Sequence, residues 1–224
     1  NGTQLNASKN GAVATKIATI DAEGIITYNK DDKNAQTLLN KSAYNVDPFT
    51  AGIEIVVTNE CDEILPLTGN KFDVKFLRPI NVVDLKSAEL QDATTGTAKI
   101  DMSKLLGLTD WRGKAFAVTP VDFYNYYGVE GANAIAIDKD KIMTTLNASE
   151  AAPKLLKDVA PNMSINYTCN LQKTADDITY GDLVYENGKF TINAPFKLFI
   201  PVTVKYTFGE VTSTVTLTIT PTHD

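Results

Sequence analysis

The chain has 224 residues, 43% hydrophobic and 21% charged, the proportions of a globular protein with one large domain or two small ones. Its 21 basic and 27 acidic residues leave a net charge of −6, and the basic ones are lysines except for Arg78 and Arg112. That balance argues against a nucleic-acid surface, which needs a clustered Arg-rich face, and against a basic patch for anionic lipid.

Taken in order, residues 1–12 are polar and rich in Asn and Gly, and they read as a flexible lead-in. Lys16–Thr19 and Gly24–Tyr28 read as strands split by Asp21-Ala22-Glu23. Lys30–Lys33 is a charged turn before Ala35–Leu39; its Asp31-Asp32 pair lacks the ligand spacing of a calcium loop and reads as solvated. In DPFTAGIEIVVTNECDEILPLTGNKFDVKFLRP, the apolar positions Ile53, Ile55 and Val57 alternate with polar ones. Phe72, Val74 and Phe76 form a closing strand that ends at Pro79. Residues 80–86 are either a linker or the first strand of a second module, with the boundary near Pro79–Asn81.

Asp101 offers a helix cap before Met102, Leu105 and Leu106, with Gly107 as the stop. Asp110–Gly113 reads as a single turn. Ala115–Thr119, Ala134–Ile137 and Ser164–Leu171 read as strands, and Pro153–Ala160 as a short helix closed by Pro161. Asp138 and Asp140 sit in a solvated turn. Asn187-Gly188, between two apolar runs, predicts a type I′ hairpin loop. Val202, Val204, Tyr206 and Phe208 share one parity, and Val211, Val215, Leu217 and Ile219 answer them beyond Gly209. The last 40 or so residues therefore predict an antiparallel meander. Tyr28–Pro79 echoes that pattern, with Phe49 answering Phe196 and Phe76 answering Ile219, which suggests two related modules.

A His-centred triad has no footing, because the one histidine, His223, lies beside the C-terminus. There is no G-x-S-x-G, no P-loop and no dinucleotide fingerprint, and no cofactor is expected. Two cysteines with one histidine do not make a zinc site, so no metal is expected either. Cys61 and Cys169 are either bridged or free, buried thiols. A carboxylate-pair glycosidase needs only two of the 27 acidic residues, and nothing singles out a pair.

The aromatic cluster Trp111, Tyr124, Tyr126 and Tyr127 is the candidate ligand site. Arg112, with Asp110 and Asn125, would bond sugar hydroxyls while the rings stack on sugar faces. The same aromatics could simply pack the end of a sandwich. Val211–Thr220, if at a sheet edge, could accept a strand from another chain. Sequons begin at Asn1, Asn6, Asn40, Asn147, Asn162 and Asn166 and would matter only in a eukaryotic secretory protein.

At FKLFIPVTVKYTFGEVTSTVTLTI and NECDEILPLTGNKFDVKFLRPINV, and again at LTDWRGKAF and the YYGV run, the chain resembles a group of uncharacterised cell-envelope proteins and lipoproteins of Bacteroidetes. The resemblance covers about the last two-thirds of the chain. It implies Ig-like β-sandwich modules, export, and a place in the periplasm or at the cell surface. The chain opens on Asn1 without a methionine, and a leader or lipid anchor is expected to have preceded it. No apolar run approaches the ~20 residues of a membrane helix, so such an anchor would be its sole link to the membrane.

The expectation is an all-β protein of two Ig-like antiparallel β-sandwich domains. Residues 1–80 form one, and residues 81–224 form a larger one with short helical insertions. The expected role is non-enzymatic: an exported binding or scaffold protein whose partner is a glycan or another cell-envelope protein. A carboxylate-based glycoside hydrolase, or an accessory module of one, is the alternative.

Overall fold

The computed structural model describes residues 2–41, 48–78, 80–84, 87–90, 97–110, 113, 128, 134–146, 150–173, 178–186 and 194–221. The protein is of the all-β class, with strands dominant and few helices. It divides into two compact units, Asn1–Pro79 and Ile80–Asp224.

In the first unit, β1 (Thr3–Lys9) and β2 (Ala12–Ile20) form a hairpin where a flexible lead-in was expected. Its loop is Asn10-Gly11, with φ of 47° and 83°, the positive values that Asn and Gly adopt at little cost. The same dipeptide logic that marked Asn187-Gly188 applies here. Further along, Lys16 has a φ of 56° in a β-bulge. Its N–H donates to Asn6 Oδ1 at 2.9 Å, and its carbonyl accepts from Asn29 Nδ2 at 3.2 Å. Ile17 and Ala18, which a regular strand would send to opposite faces, both join the core.

After β3 (Ile26–Tyr28), the charged turn feeds helix α1 (Lys33–Lys41). Asp32 caps it, accepting from the Ala35 N–H at 2.8 Å. β4 (Phe49–Glu54) then pairs with β7 (Lys71–Phe76), giving the sheet order β3-β2-β1-β4-β7. Between them β5 (Val57–Thr58) and β6 (Ile64–Leu65) form a two-stranded ribbon. The core comprises Ala7, Ile17, Ala18, Ala35, Leu39, Phe49, Ala51 and Phe76. Half of it is alanine, and such small side chains let a helix lie close on a sheet. The described residues of this unit thus form a five-stranded sheet with one helix and a small two-stranded ribbon, where a β-sandwich was predicted.

The second unit opens with β8 (Ile80–Asp84), so residues 80–84 are its first strand. β9 (Ser87–Leu90) and β10 (Thr97–Asp101) follow. Asp101 caps the next element as expected, accepting from the Ser103 N–H at 2.8 Å. The element is only a 3-10 turn, Met102–Lys104, and Gly107 lies within strand β11 (Leu106–Asp110) instead of ending a helix. The reason is the period of two: Leu106, Leu108 and Asp110 are buried in alternation. β12 (Ile135–Ile137), a 3-10 turn (Lys139–Lys141), β13 (Met143–Thr145) and β14 (Lys154–Leu155) come next. The helix expected over Pro153–Ala160 is a single turn, α2 (Leu156–Val159), behind β14.

β15 (Ser164–Lys173) and β16 (Ile178–Glu186) make one sheet in the order β10-β16-β15. β17 (Phe196–Tyr206) and β18 (Gly209–Pro221) belong to another, in the order β14-β13-β17-β18-β9 with β12 also on β17. Because β16 and β17 lie in different sheets, the closing strands are not one meander. The Asn187-Gly188 loop lies outside the described residues. The β17–β18 hairpin itself matches its sequence pattern. Phe196 faces Ile219 and Tyr206 faces Gly209, with the even positions of β17 and Val211, Val215, Leu217 and Ile219 buried. Pro201 sits where β17 passes from its β13 partners to its β12 partners, a place that demands no N–H on that side.

These two sheets and the antiparallel β8–β11 pair share one core. Tyr185 of β16 packs its ring against Phe196 of β17 at 5.8 Å between centroids. Of the edge considered from sequence, Val211–Thr220, the C-terminal end is not free: Thr218–Pro221 pair in parallel with β9, and further back the Ser213 hydroxyl donates to the Val82 carbonyl at 3.2 Å. The echo between the units is confined to the hairpins, where Phe49 faces Phe76 as Phe196 faces Ile219.

Candidate functional site

The aromatic candidates Trp111, Arg112, Tyr124, Tyr126 and Tyr127, with Asn125, lie outside the described residues. Asp110 is described, and it is fully buried at the end of β11. It therefore does not stand on the surface as a partner for sugar hydroxyls. Gly128, which ends the aromatic run, has a φ of +62°, and a Cβ there would come within 2.5 Å of Thr207 Oγ1.

The surface that stands out is on the first unit. Phe49, Ala51 and Ile53 of β4 register against Phe76, Val74 and Phe72 of β7, and these side chains share one face. At one end the helix-covered core takes them in, and Phe76 is 9% exposed. At the other end the stripe runs out into water, and Phe72 is 44% exposed. The ladder continues past β4, with Ile55 N–H donating to the Asn70 carbonyl at 2.8 Å. It leads into the β5–β6 ribbon, where Val57 faces Leu65 and Thr58 faces Ile64.

Ile55, Val56 and Val57 on one side, and Ile64, Leu65 and Leu67 on the other, are all exposed. Ile64 reaches 71%. Among the described residues every exposed large apolar side chain lies in this unit, and seven of the nine fall between positions 55 and 72. Scattered exposed apolar residues need no explanation, whereas a contiguous group marks a contact surface. The predicted face of Ile53, Ile55 and Val57 is thus not a core face: Ile53 is half-buried, and Ile55 and Val57 are exposed. Isolated two-stranded ribbons have no layer to bury against.

The ribbon tip is internally tied. Asn59 Oδ1 accepts from the Cys61 N–H at 2.9 Å and the Glu63 N–H at 3.0 Å, while Asn59 Nδ2 donates to Glu63 Oε2 at 2.8 Å. Asp62 takes a φ of 62° in this turn. Cys61 is free and exposed here, neither bridged nor buried. Residues 55–70 carry Glu60, Asp62 and Glu63 and no lysine or arginine. Beside the ribbon base lies an open depression of about 390 Å³ lined by Gly52, Ile53, Glu54, Lys71, Phe72 and Asp73. Its carboxylates, Glu54 and Asp73, are exposed, and Glu54 pairs with Lys71 at 3.4 Å. A glycosidase acid is kept protonated by burial, an environment this depression does not offer.

On the second unit, Asp138 caps the Lys139–Lys141 turn and binds Lys141 Nζ at 2.7 Å. That hydrogen bond holds the Asp138 carboxyl below its usual range and raises Lys141. Asp140 pairs with Lys157 at 3.4 Å, so lysines occupy the oxygens a cation would need. No group of three metal-ligating side chains converges among the described residues, and no described helix is long and apolar enough to cross a membrane.

The ribbon surface went unread in the sequence because alternation was assumed to continue. Its signal was the loss of alternation in Ile55-Val56-Val57 and Ile64-Leu65, runs apolar on both faces with nothing nearby to bury either. Compared with known proteins, the chain matches no family model and no curated protein.

Proposed function

We propose that this protein is a non-enzymatic binding or scaffold module of an exported cell-envelope protein, at the cell surface or in the periplasm, and that the ribbon of the first unit is its contact surface. The observation that carries this reading is the exposed apolar group between Ile55 and Phe72, continuous with the core stripe of β4 and β7. Its side chains are aliphatic apart from Phe72. Such a surface suits the apolar face of another protein better than a sugar, which wants flat rings flanked by hydroxyl-bonding groups.

An Ig-like arrangement is proposed for the second unit alone. Its support is the strand order: β10-β16-β15 in one layer, and β13-β17-β18 with the early strand β9 parallel to the last strand in the other. The one-sheet layer of the first unit does not carry that reading.

The test is retention on immobilised protein, wild type against Ile64→Asp/Leu65→Asp. Detergent-solubilised envelope proteins should be retained by the wild type and lost by the variant, while a panel of mucin-type and plant polysaccharides is not retained. Saturable polysaccharide binding that the variant leaves intact would overturn the reading and return attention to Trp111 and Tyr127.

A further inference from the structure

The outer edge of β7 has a pattern that fits itself. In the described sheet β7 is the last strand, paired with β4 on one side only. Ile55 N–H bonds the Asn70 carbonyl, and the register runs on to Phe76 without a bulge. Residues 70, 72, 74 and 76 therefore turn their backbone groups toward β4, and Lys71, Asp73 and Lys75 turn theirs outward. These three outward residues alternate in charge as plus, minus, plus.

We infer that β7 pairs antiparallel with β7 of a second copy, about a two-fold axis through Phe72. In that register Lys71 stands opposite the second copy's Asp73, and Asp73 opposite its Lys71, so both cross-strand charge pairs are attractive. A register centred on Asp73 would set Asp73 against Asp73 and Lys71 against Lys75, which is repulsive. Centring on Val74 also pairs unlike charges, but it places Phe72 opposite Phe76, which its own core already covers. Centring on Phe72 puts the two 44%-exposed rings together at a non-hydrogen-bonded position, where side chains approach most closely. Lysines on an edge strand usually deter pairing. Here the intervening Asp73 offsets that deterrent for a second copy in this one register. The inference rests on the contact-surface reading and names the partner of its β7 edge.

The experiment is sedimentation of the whole chain over about 1 to 200 µM, combined with disulfide trapping in a Cys61→Ser background. Dimer should form with rising concentration. Asp73→Lys should weaken it about tenfold, and adding Lys71→Asp should restore it. Under mild oxidation Phe72→Cys should form a covalent dimer, because Cα atoms across such a pair lie about 4.5 Å apart, and Val74→Cys should not. A monomer throughout the range overturns the inference, as does a dimer indifferent to Asp73→Lys or trapped best at Val74→Cys. If the chain stays monomeric yet retains envelope proteins through Ile64 and Leu65, self-pairing fails and the contact-surface reading stands. Loss of both fails both.

Discussion

Tyr185 offers a sharp test of the packing in the second unit. Its side chain is fully buried in β16, with the ring against Phe196. The hydroxyl has no hydrogen-bond partner among the described residues. Burial pushes its pKa well above the ordinary tyrosine value, as expected for a phenol that would have to ionise inside a core. A buried hydroxyl without a partner costs about 1–3 kcal/mol of desolvation that nothing offsets. Tyr185→Phe deletes that oxygen and keeps the ring, so the unit should gain about 1 kcal/mol. The readout is urea unfolding followed by tryptophan fluorescence, which reports the second unit because the one tryptophan is Trp111. With a slope of about 2 kcal/mol per M, the midpoint should rise by about 0.5 M at unchanged slope. A fall in the midpoint would mean that the hydroxyl is hydrogen-bonded in the folded protein, and the reasoning would be wrong.

Three further outcomes are expected. Burial, with Asp32 adding a smaller effect, raises the Tyr28 pKa to about 12, and Tyr185 is raised further by burial. Both folded values exceed the unfolded value of 10.0, so their contribution to stability is whole below pH 10 and is lost as pH rises toward and through 12. Absorbance at 295 nm should show at least two of the nine tyrosines silent near pH 10 while circular dichroism is unchanged; a single transition for all nine would contradict this. Asn6→Ala removes the acceptor that holds the Lys16 bulge and should destabilise the first unit by about 1 kcal/mol, read by loss of amide-exchange protection in β1 and β2. Gly128→Ala forces a left-handed backbone on a residue with a Cβ and presses it on Thr207, so the second unit should lose about 1–3 kcal/mol by tryptophan fluorescence; an unchanged midpoint would remove the close approach.

What the sequence made legible was set by local physics. The β17–β18 hairpin could be read because one face is core along its whole length, so alternation survives from Phe196 to Ile219. Asp101 could be read as a cap, but a cap fixes where a turn begins and not how far it runs; the alternation at Leu106, Leu108 and Asp110 decided for a strand. Asn10-Gly11 gives a weak hairpin signal because the strand before it is polar, with Ala7 the one buried residue of β1. Sheet membership is a tertiary matter: nothing within residues 178–206 says that β16 and β17 go to different layers. The helix-on-sheet form of the first unit was equally hidden, since α1 has only Ala35 and Leu39 as identified core residues. The contact surface was hidden because the sequence shows apolar character and not what covers it. Ile53 and Ile55 look no different from Phe49 and Ala51 until only the latter two are seen to join the buried core.

The measurement closest to the central proposal uses Cys61, the free thiol at the ribbon tip. A benzophenone attached there, photolysed with the protein bound to solubilised envelope, should yield one dominant protein adduct, identifiable by mass spectrometry and absent from Ile64→Asp/Leu65→Asp. A second copy of the chain in that adduct agrees with pairing through β7; a different protein supports the contact surface and not the self-pairing. Adducts of equal yield from wild type and variant, or none from either, would contradict the ribbon as the surface through which this protein works.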